Sequence, residues 1–237
     1  MSKFLKFNIG TILDYSVEGK ENESDFENTK AETILTIEAA AKDPSIPFCV
    51  FKVTGIARFA LLEKVNAKTA LSEQETLEWQ RVRNRVEMIC SHAAQVGVPI
   101  FIDAEDSWIQ DAIDDLANEM MDTFNKQKAI VYNTIQLYRH DRLAFLKSSH
   151  QLAATGNYFI GVKLVRGAYM EKERERAQNL GYPSPIQPDK AAADRDYNEA
   201  LRFMVAHHAH FALCAGSHNE ESSMLLTQLM AEKNLEN

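Results

Sequence analysis

The sequence predicts an α/β protein: a (βα)8 TIM-type barrel of which about six β/α units are present, residues 1–237 forming one incomplete barrel domain. Three observations carry that prediction. Short apolar runs alternate with helical stretches about six times, the pattern of a parallel sheet with helices outside. No run opens onto GxGxxG or a P-loop, which counts against an open nucleotide-binding sheet. Finally, nearly every run ends in polar residues: Asp14, Lys52, Asp103, Gln136, Arg166 with Tyr169, and His218 with Asn219. Polar groups converging from many strand ends suit a barrel mouth.

Taken in order, Phe7 to Leu13 is an apolar run ending in Asp14-Tyr15-Ser16. Phe26 to Ala41 carries Ile34, Leu35, Ile37 and Ala40 at helical spacing. Phe48 to Val53 is the second strand, closed by Thr54-Gly55, and Ala57 to Val65 is helical. Thr76 to Val96 is a longer helix that Gly97 stops. Val98 to Ile102 gives the third strand, and Ser107 is placed to cap a helix from Trp108 to Asn125. Ala129 to Tyr132, with Ile135 and Leu137, is the fourth strand, followed by a helix from Arg142 to Ala154. The fifth, Tyr158 to Val165, leads into a charged helix that ends near Leu180-Gly181, and Tyr182 to Pro188 is a proline-rich loop. Asp194 to His208 is helical, Phe211 to Ala215 is the sixth strand, and Ser222 to Lys233 is the last helix. A closed barrel needs eight strands, so the chain reads as truncated at Asn237.

Composition narrows the function. A net charge of −8 argues against a general nucleic-acid binder, which needs clustered Lys and Arg. Cys49, Cys90 and Cys214 are scattered and odd in number, fitting a reducing cytoplasm, and their spacing matches no zinc site. MSKFLKFNIG lacks the apolar segment of a signal peptide, and no window has the roughly 18 apolar residues of a membrane span. A soluble cytoplasmic protein is expected, with peripheral membrane contact left open.

Several residues could carry chemistry. Lys52 ends an apolar strand, where it could hold a carboxylate, form a Schiff base, or snorkel to water. Asp103 lies nearest its strand end, whereas Glu105 and Asp106 could simply serve the following helix N-terminus. Alternation puts Lys163 and Val165 on one face and Leu164 and Arg166 on the other. A lysine within a buried parallel strand has few innocent explanations, and in a barrel it points at a bound anion or cofactor. His218 could donate to a phosphate or carbonyl, or stand on the surface. His207, His208 and His210 read as a helix C-terminus, not a metal site.

KLVRGAYMEKERERAQNLGYPSPI at residues 163–186 resembles the signature of the proline dehydrogenase family, flavoenzymes on a (βα)8 barrel. LDYSVEGK (13–20), FKVTG (51–55), FIDAED (101–106), YNTIQLY (132–138) and SHNEES (217–222) resemble further family segments in the family's order. The resemblance implies oxidation of L-proline to Δ1-pyrroline-5-carboxylate, with hydride transfer to non-covalent FAD and reoxidation by a membrane quinone. It implies that Lys52 pairs with the proline carboxylate, that Asp103 sits close to substrate and flavin, and that Leu164 and Tyr169 shape the proline pocket. Gln136, Lys163, Arg166, Gly167, Ala168, Ser217, His218 and Asn219 would hold the FAD. Bifunctional bacterial members carry arginine where this chain has Lys163, so lysine keeps the charge and loses the fork. The family's last two strands and final helix, with an arginine pair in an RRxxEN-like motif, have no counterpart in these residues. Other readings are a Schiff-base aldolase using Lys52 or Lys163, and a non-catalytic fragment whose sheet edges invite pairing.

Overall fold

The computed structural model describes residues 7, 9–15 and 19–235. Strand and helix alternate as β1 (Ile12–Asp14), α1 (Glu23–Lys42), β2 (Phe48–Phe51), a 3-10 turn (Val53–Gly55), α2 (Phe59–Asn66), α3 (Glu73–Val96), β3 (Ile100–Ile102), α4 (Ser107–Phe124) and β4 (Val131–Gln136). There follow α5 (Arg142–Gly156), β5 (Ile160–Val165), α6 (Met170–Leu180), α7 (Lys190–Ala206), β6 (Phe211–Ala215) and α8 (Glu220–Glu232). The strands form one six-stranded sheet in the order β1-β2-β3-β4-β5-β6, with parallel pairing. This is the predicted α/β alternation, strand next to strand in chain order. The chain divides into two compact units, Met1–Asn133 and Thr134–Asn237, and the division falls inside β4.

The elements are trimmed or lengthened relative to their apolar runs for identifiable reasons. β1 starts at Ile12, not Phe7, and Phe7 and Ile9 are exposed. Ser16 to Glu18, part of the LDYSVEGK segment, lie outside the described residues. β2 stops at Phe51 because the chain tightens into the 3-10 turn, where Gly55 N–H donates to the Lys52 carbonyl at 3.1 Å. Helix α3 begins earlier than its apolar stripe because Ser72 and Glu75 form a capping box. At α4 the cap position belongs to Asp106, and Ser107, expected as the cap, is already helical. α7 likewise begins at Lys190, where the Asp189 side chain accepts from Ala192 N–H at 2.8 Å.

In the first unit, Phe26, Ile37, Leu61, Leu62, Val86 and Ile89 are buried between helices and sheet. Asn125, also buried, closes the α4–β4 connection: its side chain accepts from Ile130 and Val131 N–H and donates to the Val131 carbonyl. In the second unit, β5 and β6 pair in register from Ile160↔Phe211 to Leu164↔Ala215. At the N-terminal end of β6, His207 Nδ1 and His208 Nδ1 lie against last-turn carbonyl oxygens of α7. His150 of α5 packs 4.7 Å from the His207 ring, and burial, then the neighbouring His207 and His210, hold its pKa below the usual histidine range. Among the described residues, no group of three or more His, Cys, Asp or Glu is placed to hold a metal ion. Nor is any described helix long and apolar enough to cross a membrane.

Candidate active site at the strand exits

In the first unit two charged residues leave adjacent strands side by side. Cys49 Sγ contacts the Thr36 carbonyl oxygen of α1, so Cys49 and Phe51 face the helices, and Phe48, Val50 and Lys52 face away from them. Lys52 keeps extended dihedrals (φ −107°, ψ 140°), so the alternation reaches it. On β3, Phe101 stacks on Phe48 with ring centroids 4.5 Å apart, which assigns Phe101 and then Asp103 to the same face. Asp103 N–H donates to the Phe51 carbonyl at 3.0 Å, extending the β2–β3 ladder past Phe51↔Ile102. Lys52 and Asp103 are therefore cross-strand neighbours, both half-buried. On β4, Tyr132 meets Phe101 edge-on at 5.5 Å, while Asn133 points the other way and donates to Asp114 of α4 at 2.8 Å. Four residues after Tyr132, Gln136 shares the Tyr132 face and is buried.

The second unit holds the rest of the candidate residues. Within β5, Lys163 and Val165 are half-exposed, whereas Val162 and Leu164 are buried. Leu164 shares its face with Arg166, and Arg166 lies over the Tyr197 ring of α7 at 4.3 Å. Leu164 thus faces the helix layer and Lys163 faces away from it. Lys163 pairs in register with Cys214 of β6, and its positive charge offsets a little of the burial that pushes the Cys214 thiol up. Leu164, which the resemblance assigns to the proline pocket with Tyr169, lies across the pleat from Lys163, as the alternation predicts.

Arg166 proves to be a hub. Its Nε donates to Asp194 at 2.6 Å, Nη1 to Ser217 Oγ at 3.0 Å and Nη2 to Ser222 Oγ at 2.9 Å. Ser217 Oγ in turn accepts from Asn219 N–H at 3.0 Å, and Asn219 caps α8 by accepting from Ser222 N–H at 2.9 Å. Partial burial pushes the Asp194 carboxyl up, but Lys190 and Arg166 outweigh it and hold it below the usual carboxylate range. The guanidinium fork therefore fixes the loop that carries Ser217, His218 and Asn219. A lysine has a single compact ammonium and lacks the planar fork that spans these three separated acceptors. Arg166→Lys is expected to lower stability by about 2 kcal/mol, from charge-assisted bonds lost in a partly exposed setting. It should also weaken FAD binding by at least about tenfold if that loop holds the cofactor. Thermal unfolding and a FAD titration measure both; unchanged values would show that the fork orders nothing.

Beside this hub lies a cavity of about 770 Å³ lined by Tyr138, Gly167, Tyr169, Arg174, Gln187 and Lys190, among others. Gly167 and Ala168 are exposed where they line it, and Tyr169 stands at the N-cap position of α6. His218 is exposed, with Ser217 and Asn219 half-buried beside it. Sequence reasoning did not single out Asp194 or Ser222, the acceptors that orient Arg166. Ser222 lay in plain view in SHNEES, but nothing in the sequence joins Asp194 to a strand end 28 residues away.

These observations can be set beside known proteins. The family model described as proline dehydrogenase matches residues 1–237. The carbapenem antibiotics biosynthesis protein CarD of Pectobacterium carotovorum subsp. carotovorum is 34% identical, over 92% of this chain and 57% of its own length. The mitochondrial proline dehydrogenase 1 of Dictyostelium discoideum is 32% identical, over 97% of this chain and 48% of its own. The crystal structure of proline utilization A (PutA) from Bdellovibrio bacteriovorus, inactivated by N-propargylglycine, superposes with a TM-score of 0.82. It covers 99% of this chain and 25% of that one, and at 18% identity it speaks for the fold alone. The chain spans about half the length of the curated relatives it matches. None of these matches favours the lysine-nucleophile aldolase.

Proposed function

This chain belongs to the proline dehydrogenase family, and from that premise we propose that it oxidises L-proline to Δ1-pyrroline-5-carboxylate by hydride transfer to FAD. The observation that carries the reading is the exit of β5 and β6. There a half-exposed lysine, Lys163, faces away from the helices, and Arg166 orders the Ser217–His218–Asn219 loop that follows the neighbouring strand β6. The donor set fits a flavin dinucleotide: a cation, a hydroxyl, an imidazole and amides, beside exposed glycine backbone and a helix start.

Bound FAD supplies the hydride acceptor. Lys52 offers a full positive charge to the substrate carboxylate, which a half-buried setting strengthens relative to water. Asp103, its cross-strand neighbour, is suited to the proline amine, whose proton must leave as C5 gives up hydride and the C=N bond forms. Tyr169 would close the proline pocket. Gln136 would bond the edge of the flavin ring with its amide, Lys163 would place charge beside that ring, and Gly167, Ala168, Ser217, His218 and Asn219 would hold the remainder of the cofactor.

We place reoxidation with a membrane quinone, reached by peripheral contact from the cytoplasmic side. The test supplies L-proline, FAD and a soluble quinone and follows the product by mass. A cyclic imine lighter than proline by a molecule of dihydrogen is expected; unreacted proline would refute the reading.

A further inference from the structure

Two residues beyond Lys52 and two beyond Asp103, the exits of β2 and β3 are tied together by a buried carboxylate. Glu105 is only 4% exposed, and both of its oxygens accept from Thr54: Oε1 from the backbone N–H at 3.1 Å and Oε2 from the side-chain hydroxyl. The backbone N–H of Glu105 donates in turn to Gln110 Oε1 of α4 at 2.8 Å. Gln110 Nε2 donates to Asp114 Oδ1 at 3.1 Å, and that same oxygen accepts from Asn133 of β4. All four of these partners are buried: Thr54, Gln110, Asp114 and Asn133. On the other side of the 3-10 turn, Arg85 Nη1 donates to the Ile56 carbonyl at 3.1 Å. The turn that follows Lys52 is thus held from both flanks by polar side chains that cannot relax into water.

A carboxylate taken out of water is a costly way to join two loops, and apolar packing of similar volume often holds as well or better. What a carboxylate adds is direction. Two acceptor oxygens on one residue fix both the height and the rotation of the turn that receives them. The place of the tie gives this direction a purpose, because Thr54 and Glu105 each stand two residues past Lys52 and Asp103, where the two segments have left the sheet.

We propose that Glu105 and Thr54 are positioning residues, a brace that sets the separation of Lys52 and Asp103 at the mouth of the first unit. The inference rests on the reading above, in which Lys52 meets the proline carboxylate. Neither Thr54 nor Glu105 is assigned any contact with substrate or cofactor. They act through the backbone, and a shift of about 1 Å in a group that orients substrate is enough to cost some hundredfold in efficiency.

Thr54→Val keeps the shape and removes the hydroxyl, and Thr54→Ser restores it. With the FAD-loaded protein, the KM for L-proline is expected to rise at least tenfold in Thr54→Val and return to within about twofold of wild type in Thr54→Ser. Amide hydrogen exchange over residues 52–56 and 103–106, read by mass without any turnover, should quicken about tenfold in the valine variant alone. Thr54→Val matching wild type in both readouts overturns the brace, as does a lower melting temperature with unchanged KM. Equal losses in the valine and serine variants would show that the hydroxyl is not what the site needs and also overturn it. A wild-type protein that never turns over proline would instead overturn the functional reading, and with it the role given to the brace.

Discussion

Gly167→Ala is expected to abolish FAD retention and to destabilise the second unit by about 3–5 kcal/mol, the sum of backbone strain and overpacking. Gly167 has φ +132°, a conformation that side chains rarely adopt. A Cβ there would lie 2.4 Å from Cε1 and 2.5 Å from Cδ1 of Tyr138. That ring cannot swing aside cheaply. It is buried with Ile186 and Ala193, and its backbone is pinned on both sides, with N–H donating to the Arg166 carbonyl and the carbonyl accepting from Gln187 N–H, each at 2.7 Å. The Arg166-Gly167-Ala168 turn would therefore have to move, and with it the backbone at the cavity rim. Gly181 provides the control. It has φ +72° at the end of α6 with nothing within 4 Å of an added Cβ, so Gly181→Ala should cost only about 1 kcal/mol and keep FAD. Thermal unfolding and desalting after FAD loading distinguish the two; equal behaviour would refute the argument from Tyr138.

Lys52→Met is expected to raise the KM for L-proline by about thirty- to several-hundredfold while FAD is retained. Removing one charge from a desolvated charge pair costs about 2–4 kcal/mol. Methionine preserves most of the length and apolar volume of the stem, so the β2 exit should keep its place. A carboxylate bond that persists through the reaction raises KM with little change in kcat, and steady-state kinetics separate the two. Lys163→Met, by contrast, should perturb FAD affinity more than the KM. An unchanged KM in Lys52→Met would remove Lys52 from the substrate.

Much of this was legible in the sequence, because apolar periodicity and turn residues are local properties. The six strands, the alternation with helices and the polar strand exits all follow from them. The pleat even sorted Lys163 from Leu164 and Arg166. Periodicity does not say which face meets the helices, however, so the sequence alone leaves open which side Leu164 and Arg166 take. The Tyr197 ring and Asp194, both on α7, decide the matter and lie about thirty residues downstream. Glu105 shows the same limit. It stands ahead of α4, where an acid is ordinary, and the Thr54 that claims it is 51 residues earlier. The one available clue was parity, since each follows a strand-end charge by two positions. Helix starts moved for a related reason: capping boxes extend a helix beyond its apolar stripe, as Ser72 and Glu75 do for α3.

The most direct test loads the protein with FAD, removes excess cofactor by desalting and adds L-proline without oxygen while recording the absorbance spectrum. The account expects a yellow protein whose flavin band bleaches as proline is added, with Δ1-pyrroline-5-carboxylate appearing in step. Flavin that stays oxidised in the presence of excess proline would contradict it, and so would a protein that emerges from desalting without colour.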